Sequence, residues 1–220
     1  MSLLTERYLD QLPFWPKSGR HILAQVDAES VIVYQAYRPS IGQFAITHGY
    51  FGGEFSYTRM SWIKTNFLWM MYRSGWGTKP GQEVTLAIRL HRPFFDSLLT
   101  QAVESTFSAG QYVSYAEWKC AIARSLVRVQ WDPDHLPTGS AVLRRALQLG
   151  LRGRVLKEYG KQQILEIIDL SNFVSEQRVN ISSDRRAELV TPAECVYIPD
   201  DPAIRLRLQL DDPNQDITAG

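Results

Sequence analysis

The sequence predicts an α+β fold: a single domain with a curved, largely antiparallel sheet wrapped by helices. Three observations point there. Segments of strand period and helix period are interspersed without the regular alternation that builds a parallel sheet. No GxGxxG or GxxxxGK[ST] loop is present, which argues against a Rossmann or P-loop nucleotide site. With 220 residues, 45% hydrophobic and 21% charged, the chain can bury a sizeable core without dividing. Residues 1–210 are expected to form the domain, and 211–220 ("DDPNQDITAG"), polar and rich in turn formers, a flexible tail.

The elements follow from local pattern. "SVIVYQAY" is β-branched and aromatic and runs into Pro39, so a buried strand is expected from about Val31 to Tyr37. Ile41, Phe44, Ala45 and His48 then share a helical face, with Pro39 tolerated in the first turn and Gly49 able to end the helix. Thr65 or Asn66 can cap a helix from Phe67 to Ser74 that Gly75 stops. Val84, Leu86, Ile88 and Leu90 alternate with Thr85, Ala87 and Arg89, the period of a half-buried strand. Ser114 and Glu117 stand at capping-box spacing, and "SLVRVQW" is a further strand. "SAVLRRALQLGLRGRVLKEYG" suggests two short helices parted near Gly150 to Gly153, before a strand in "QQILEIIDL" and a polar helix from about Ser171 to Arg178.

Twenty-four Lys and Arg against 23 Asp and Glu leave a net charge of +1, so any anion site must be local. The amino terminus lacks a cationic start with an apolar run, and no stretch approaches the roughly 20 apolar residues of a membrane span, so a soluble, cytoplasmic protein without a membrane partner is expected. Cys120 and Cys195 lie far apart, without CxxC spacing, and are expected to be reduced, unpaired and buried. His21, His48, His91 and His135 show no HxxxH or HExxH spacing, so no metal is expected. A Ser-His nucleophile is not indicated either, since no G-x-S-x-G elbow occurs.

The stretch "RMSWIKTNFLWMMYRSGWGTKP", Arg59 to Pro80, mixes large aromatics with cations. Trp69 and Arg73 are four residues apart on one helical face, with Leu68 and Tyr72 adjoining, while Phe67, Met70 and Met71 supply apolar packing. Trp62, Trp69 and Tyr72 beside Arg59, Lys64 and Arg73 have the chemistry of a nucleotide cleft: aromatic faces stack a planar ring and cations meet phosphate. Core packing with a surface Arg stacked on Trp is the plainer reading of the same residues. Gln35 and Tyr37 share a strand face, where Gln35 is either a structural hydrogen bonder or a ligand reader. Gln130 and Asp132 in "VQWDPDH" end a strand, as site residues or as a simple turn. Glu166, Asp169 and Glu194 are the carboxylates nearest apolar strands.

The runs "VYQAY.P.I", "RMSWIK..FLWMMYRSGWGTKP", "VQWDP", "RALQLGL" and "TPAECVY" together resemble the family catalogued as domain of unknown function 4291, over about Ile22 to Leu208. Arg145, Gln148 and Asp169 match the family pattern, whereas Ile168 stands where members carry Glu. More distantly, the order of "VYQAYRPSIGQFAITHGYF", the Arg-plus-helix segment and "EVTLAIRL" is similar to ADP-ribosyltransferase-like domains. That resemblance implies a nucleotide-binding enzyme acting at the ribose of NAD, its cofactor. Gln35 would occupy the polar position of the first strand, and Glu194 would be the carboxylate that stabilises the ribose cation. Tyr37, Arg59, Trp62, Lys64, Trp69, Tyr72, Arg73, Gln130, Asp132 and Gln148 would hold the ligand. The alternative is a noncatalytic module that stacks single-stranded nucleic acid on the same aromatics and meets its phosphates with Arg and Lys.

Overall fold

The computed structural model describes residues 3–109, 111–182 and 184–213. In chain order the elements are β1 (Thr5–Arg7), α1 (Tyr8–Gln11), β2 (Gly19–Arg20), β3 (Ile22–Ala24), β4 (Ser30–Tyr37), α2 (Pro39–His48), β5 (Ser61–Lys64) and α3 (Phe67–Ser74). There follow β6 (Val84–His91), α4 (Arg92–Gln101), β7 (Val103–Glu104), α5 (Tyr115–Arg124), β8 (Val127–His135), β9 (Ala141–Leu151) and α6 (Gly153–Lys161). The last are β10 (Ile164–Asp169), α7 (Ser171–Gln177), β11 (Val190–Pro192), β12 (Cys195–Tyr197) and α8 (Pro202–Leu208).

The protein is a single α+β domain built on an eight-stranded sheet of order β10-β6-β4-β5-β9-β8-β7, with β2 also paired to β9. Pairing is antiparallel except for β7 with β8 and β2 with β9. Alternation along the strands sorts two apolar layers. On one face Val31, Val33, Ile63, Ile88, Val129, Leu147 and Leu149 pack with residues of α2, α4, α6 and α8. On the other, Ile32, Tyr34 and Ala87 pack with α1, α3 and α7. Helices therefore cover both faces.

Local signals set most boundaries. β4 ends at Pro39, which opens α2, and Gly49 closes that helix with φ of 73°, a left-handed conformation that costs glycine nothing. Asn66 caps α3 by accepting the Trp69 N–H at 2.7 Å. Ser114 does the same for α5 through the Glu117 N–H at 3.2 Å, while the Glu117 carboxylate reaches back to the Val113 N–H.

Three expectations are corrected. Ala141–Leu151, expected as a short helix, is the longest strand. Leu147, Leu149 and Leu151 alternate with Ala146, Gln148 and Gly150, and pairing with both β8 and β5 overrides the helix propensity of Leu and Ala. β6 is not half-buried: α3 and α7 cover its second face, so Thr85, Ala87 and Arg89 are buried as well. The thiols are free, but both are exposed. Cys120 lies on α5, which contributes no buried residue, and Cys195 on the short two-stranded sheet of β12 and β3. Of the expected tail, Asp211 exchanges hydrogen bonds with the Arg20 backbone, and residues 214–220 lie outside the described residues.

One close contact shapes the face that α3 covers. Gly150 on β9 stands opposite Trp62 on β5. A Cβ there would lie 2.7 Å from Met60 Sδ and 2.9 Å from the Trp62 ring, so Gly is what lets the indole lie flat on the strand. Gly150→Ala should cost about 1–3 kcal/mol through overpacking. In urea unfolding, a Trp62→Leu background should relieve most of that loss, and an equal penalty in both backgrounds would reject the contact.

Candidate functional site

A cleft of about 560 Å³ opens between α3 and the second face of the sheet, lined by Trp62, Lys64, Trp69, Tyr72, Arg73, Gln130, Asp132, Pro133, His135 and Gln148. Its strand-borne groups form a cross-sheet row. Lys64 on β5 is opposite Gln148 on β9, which is opposite Gln130 on β8, so all three share a face. Asp132 stands two residues beyond Gln130 on that face. Its Oδ1 accepts from Gln130 Nε2 at 2.8 Å and its Oδ2 from Gln148 Nε2 at 2.5 Å. The two amides clamp the carboxylate in one orientation.

The helix supplies the facing wall. Trp69, Tyr72 and Arg73 at i, i+3 and i+4 look into the cleft, while Phe67, Leu68, Met70, Met71 and nearby Trp76 are buried in the core. The aromatic stretch is thus divided between core and cleft. Tyr72 stacks on His135 with centroids 3.5 Å apart and planes 10° from parallel. Lys79 donates to the Tyr72 and Arg73 carbonyls at 3.3 and 2.9 Å and so closes the carboxyl end of α3. The Arg73 guanidinium makes no ion pair among the described residues and leaves its donors to the cleft.

Burial governs the titratable groups. Lys64 lies over the Trp69 ring, 5.3 Å from its centroid, and donates to the Trp62 carbonyl at 3.0 Å. Burial first, and then the nearby Arg73 charge, push its ammonium down to about 7, with Asp132 opposing. Burial also lowers His135, against the pull of Asp134 and Asp132. Its Nδ1 and the Trp69 Nε1 are buried polar atoms without a protein partner; both belong to side chains that line the cleft, but the atoms themselves are shielded from it.

Eight of the residues expected to bind a ligand thus meet in this cleft: Trp62, Lys64, Trp69, Tyr72, Arg73, Gln130, Asp132 and Gln148. Arg59 and Tyr37 line an adjoining cavity of about 350 Å³ that shares Trp62, Lys64 and Arg73 with it. Gln35 borders that second cavity too, yet its amide is committed. β4 and β5 pair only at Tyr34 and Lys64, and Gln35 Nε2 spans the gap by donating to Ser61 Oγ at 2.9 Å and the Trp62 carbonyl at 3.0 Å. Its Oε1 accepts from Tyr159 at 2.6 Å. Both side-chain ends are satisfied by protein.

Glu194 is not brought to the cleft. It is buried at the amino end of α3, where Oε1 accepts the Phe67 N–H at 2.8 Å. Burial raises its carboxyl to about 8, and Asp134 adds to the rise. Of the other carboxylates near apolar strands, Glu166 pairs with Arg89 and Asp169 accepts from Ser171, both away from the cleft. Arg145 is exposed on β9.

His135 escaped the sequence reading for a geometric reason. β8 shifts register between Pro133 and His135, and this bulge brings His135 to the cleft although Asp132 and Asp134 also serve that side. The signal was Pro133: proline inside a strand marks an edge or a bulge.

The profile of the family described as domain of unknown function (DUF4291) matches residues 21–197. The chain belongs to that family. The match includes every cleft residue and both anchors of α3, Asn66 and Glu194. A search of curated proteins finds no match. Among the described residues, no helix is long and apolar enough to cross a membrane.

The Glu194 environment has a measurable signature. A carboxyl raised from 4.5 to about 8 on folding contributes stability below pH 4.5 that is lost as pH rises through 8. The loss proceeds at up to about 1.4 kcal/mol per pH unit. Lys64, depressed on folding, acts in the opposite sense and only above about pH 7. Glu194→Gln keeps an acceptor for the Phe67 N–H, so its unfolding free energy should decline less than wild type between pH 5 and 7. Parallel curves would show that Glu194 is charged in the folded protein.

Proposed function

We propose that the protein is a nucleotide-binding enzyme that acts at the ribose of NAD or a close relative. The observation that carries this reading is the placement of an aromatic wall, an arginine, a buried lysine and one clamped carboxylate on a single cleft. Trp62 and Trp69 offer faces for a planar ring. The Arg73 guanidinium supplies a fork of donors for pyrophosphate oxygens. The order of elements, similar to ADP-ribosyltransferase-like domains, supports the same reading.

In such a reaction the C1′–N bond breaks and its electron pair leaves with nicotinamide, so positive charge develops on the ribose. A fixed carboxylate beside that carbon stabilises it without reorganising. In this cleft the residue suited to the role is Asp132, held by Gln130 and Gln148, since Glu194 lies behind the helix. Water or an acceptor hydroxyl then bonds to C1′ and gives up a proton, for which the His135 imidazole, kept neutral by burial, is a suitable base.

A single-stranded nucleic-acid ligand is the second reading. The observation favouring it is that the second cavity, which Arg59 lines, adjoins the cleft and shares Trp62, Lys64 and Arg73 with it.

Thermal shift against NAD, ADP-ribose, ATP and short single-stranded DNA and RNA separates the two, because stabilisation follows free ligand over Kd. NAD should stabilise the protein and release nicotinamide. Asp132→Asn should slow that release about 10²-fold or more with binding largely retained. Arg73→Lys should weaken NAD by about 1–3 kcal/mol with little change in stability. Stabilisation by oligonucleotides alone, diminishing with salt, would replace the enzyme reading with the second one.

A further inference from the structure

Lys64 differs from the other cations of the cleft. Its residue is only 9% exposed, whereas Arg73 and Arg59 reach solvent. Its Nζ has one protein acceptor, the Trp62 carbonyl, and no carboxylate within ion-pair distance among the described residues. It lines both cavities. A lysine that serves as an anion contact keeps its charge. Here the low exposure and the neighbouring Arg73 guanidinium favour the free amine against the pull of Asp132 and of the Trp69 face, and burial brings its pKa to about 7. An amine that is partly neutral near pH 7 and lines one cleft with a carboxylate and an imidazole is equipped for covalent chemistry.

We propose that Lys64 Nζ is a nucleophile that forms an imine with C1 of a ribose phosphate whose anomeric carbon is free, Arg73 holding the phosphate. The inference rests on the reading of the cleft as one that acts at a nucleotide ribose, because loss of nicotinamide to water yields a ribose of this kind. In its open-chain form C1 is an aldehyde. The amine lone pair attacks that carbon, an N–C1 bond forms, and the carbonyl oxygen takes up a proton. The carbinolamine nitrogen loses a proton, the hydroxyl takes up a second proton and leaves as water, and the protonated imine so formed releases its N–H proton to give the imine. No electrons are exchanged with an external group. Asp132 and His135 line the same cleft as proton carriers for the addition and the dehydration.

The test is reductive trapping. The full chain is incubated with ribose 5-phosphate and cyanoborohydride, and the adduct is located by peptide mass mapping. The expected result is one reduced adduct, on Lys64, in preference to the exposed Lys17, Lys79, Lys119, Lys157 and Lys161. Its rate should rise through a midpoint near pH 7, where an exposed lysine would titrate close to 10. Half-saturation should come at roughly tenfold lower concentration with ribose 5-phosphate than with ribose, the equivalent of about 1.4 kcal/mol from the phosphate contact. Adducts spread over exposed lysines with Lys64 unmodified would overturn the proposal. Stabilisation by NAD, measured separately on the unmodified wild type, reports on the nucleotide reading. Stabilisation without trapping therefore rejects only Lys64 as a nucleophile, and trapping without stabilisation rejects only NAD as the ligand.

Discussion

The ion pair between Asp134 and Arg144 holds together the parts that make the cleft. Both residues are buried, and Asp134 Oδ2 accepts from Arg144 Nε at 2.8 Å and Nη2 at 2.6 Å. Arg144 also donates to the Pro16 carbonyl and stacks on Trp15, which ties the amino-terminal segment to β9. Asp134 accepts from Asn66 Nδ2 at 3.3 Å, and Asn66 in turn caps α3. Removing one partner of such a pair costs about 3–5 kcal/mol because it strands the other charge. This one contact therefore fixes β8, β9 and the start of α3 relative to one another.

The chemistry of the cleft follows from that placement. Asp132 lies two residues before Asp134, and His135 directly after it, redirected by the bulge at Pro133. The first turn of α3 is pinned by Asn66 and Glu194, so the helix presents Tyr72 and Arg73 from its last turn to those same strand residues. Polar groups that need charge or orientation sit on the cleft side, whereas Glu194, buried and raised to about 8, acts as a neutral fastening. The cations are graded by exposure: Arg73 keeps its donors free, and Lys64 is desolvated against Trp69.

The sequence carried the local half of this arrangement. Proline and glycine punctuation placed β4, α2 and α3, because φ restriction acts within a residue or two. The i, i+3, i+4 spacing of Trp69, Tyr72 and Arg73 was visible for the same reason. β9 was not, since its leucines, alanines and arginines favour helix until β5 and β8 supply hydrogen bonds on both sides. The positions of Gln35 and Glu194 were equally out of reach. Both are polar residues on apolar strands or near them, and only the folded chain shows their partners to be Ser61, Trp62 and Tyr159 in one case and Phe67 in the other. Trp62, Lys64, Gln130 and Gln148 were recognisable as residue types, but the row that unites three of them is a register, which no single segment encodes.

The dependence of the cleft on the buried pair is open to direct measurement through His135, whose ring lies 3.5 Å from that of Tyr72. In wild-type protein the His135 ring protons should be shifted upfield in the NMR spectrum by the tyrosine face. In Arg144→Met, examined under conditions where circular dichroism shows the chain folded, that shift should collapse toward the random-coil value as β8 and α3 lose their common anchor. Identical His135 shifts in the two proteins would contradict the account, because they would show that the cleft keeps its shape without the Asp134–Arg144 pair.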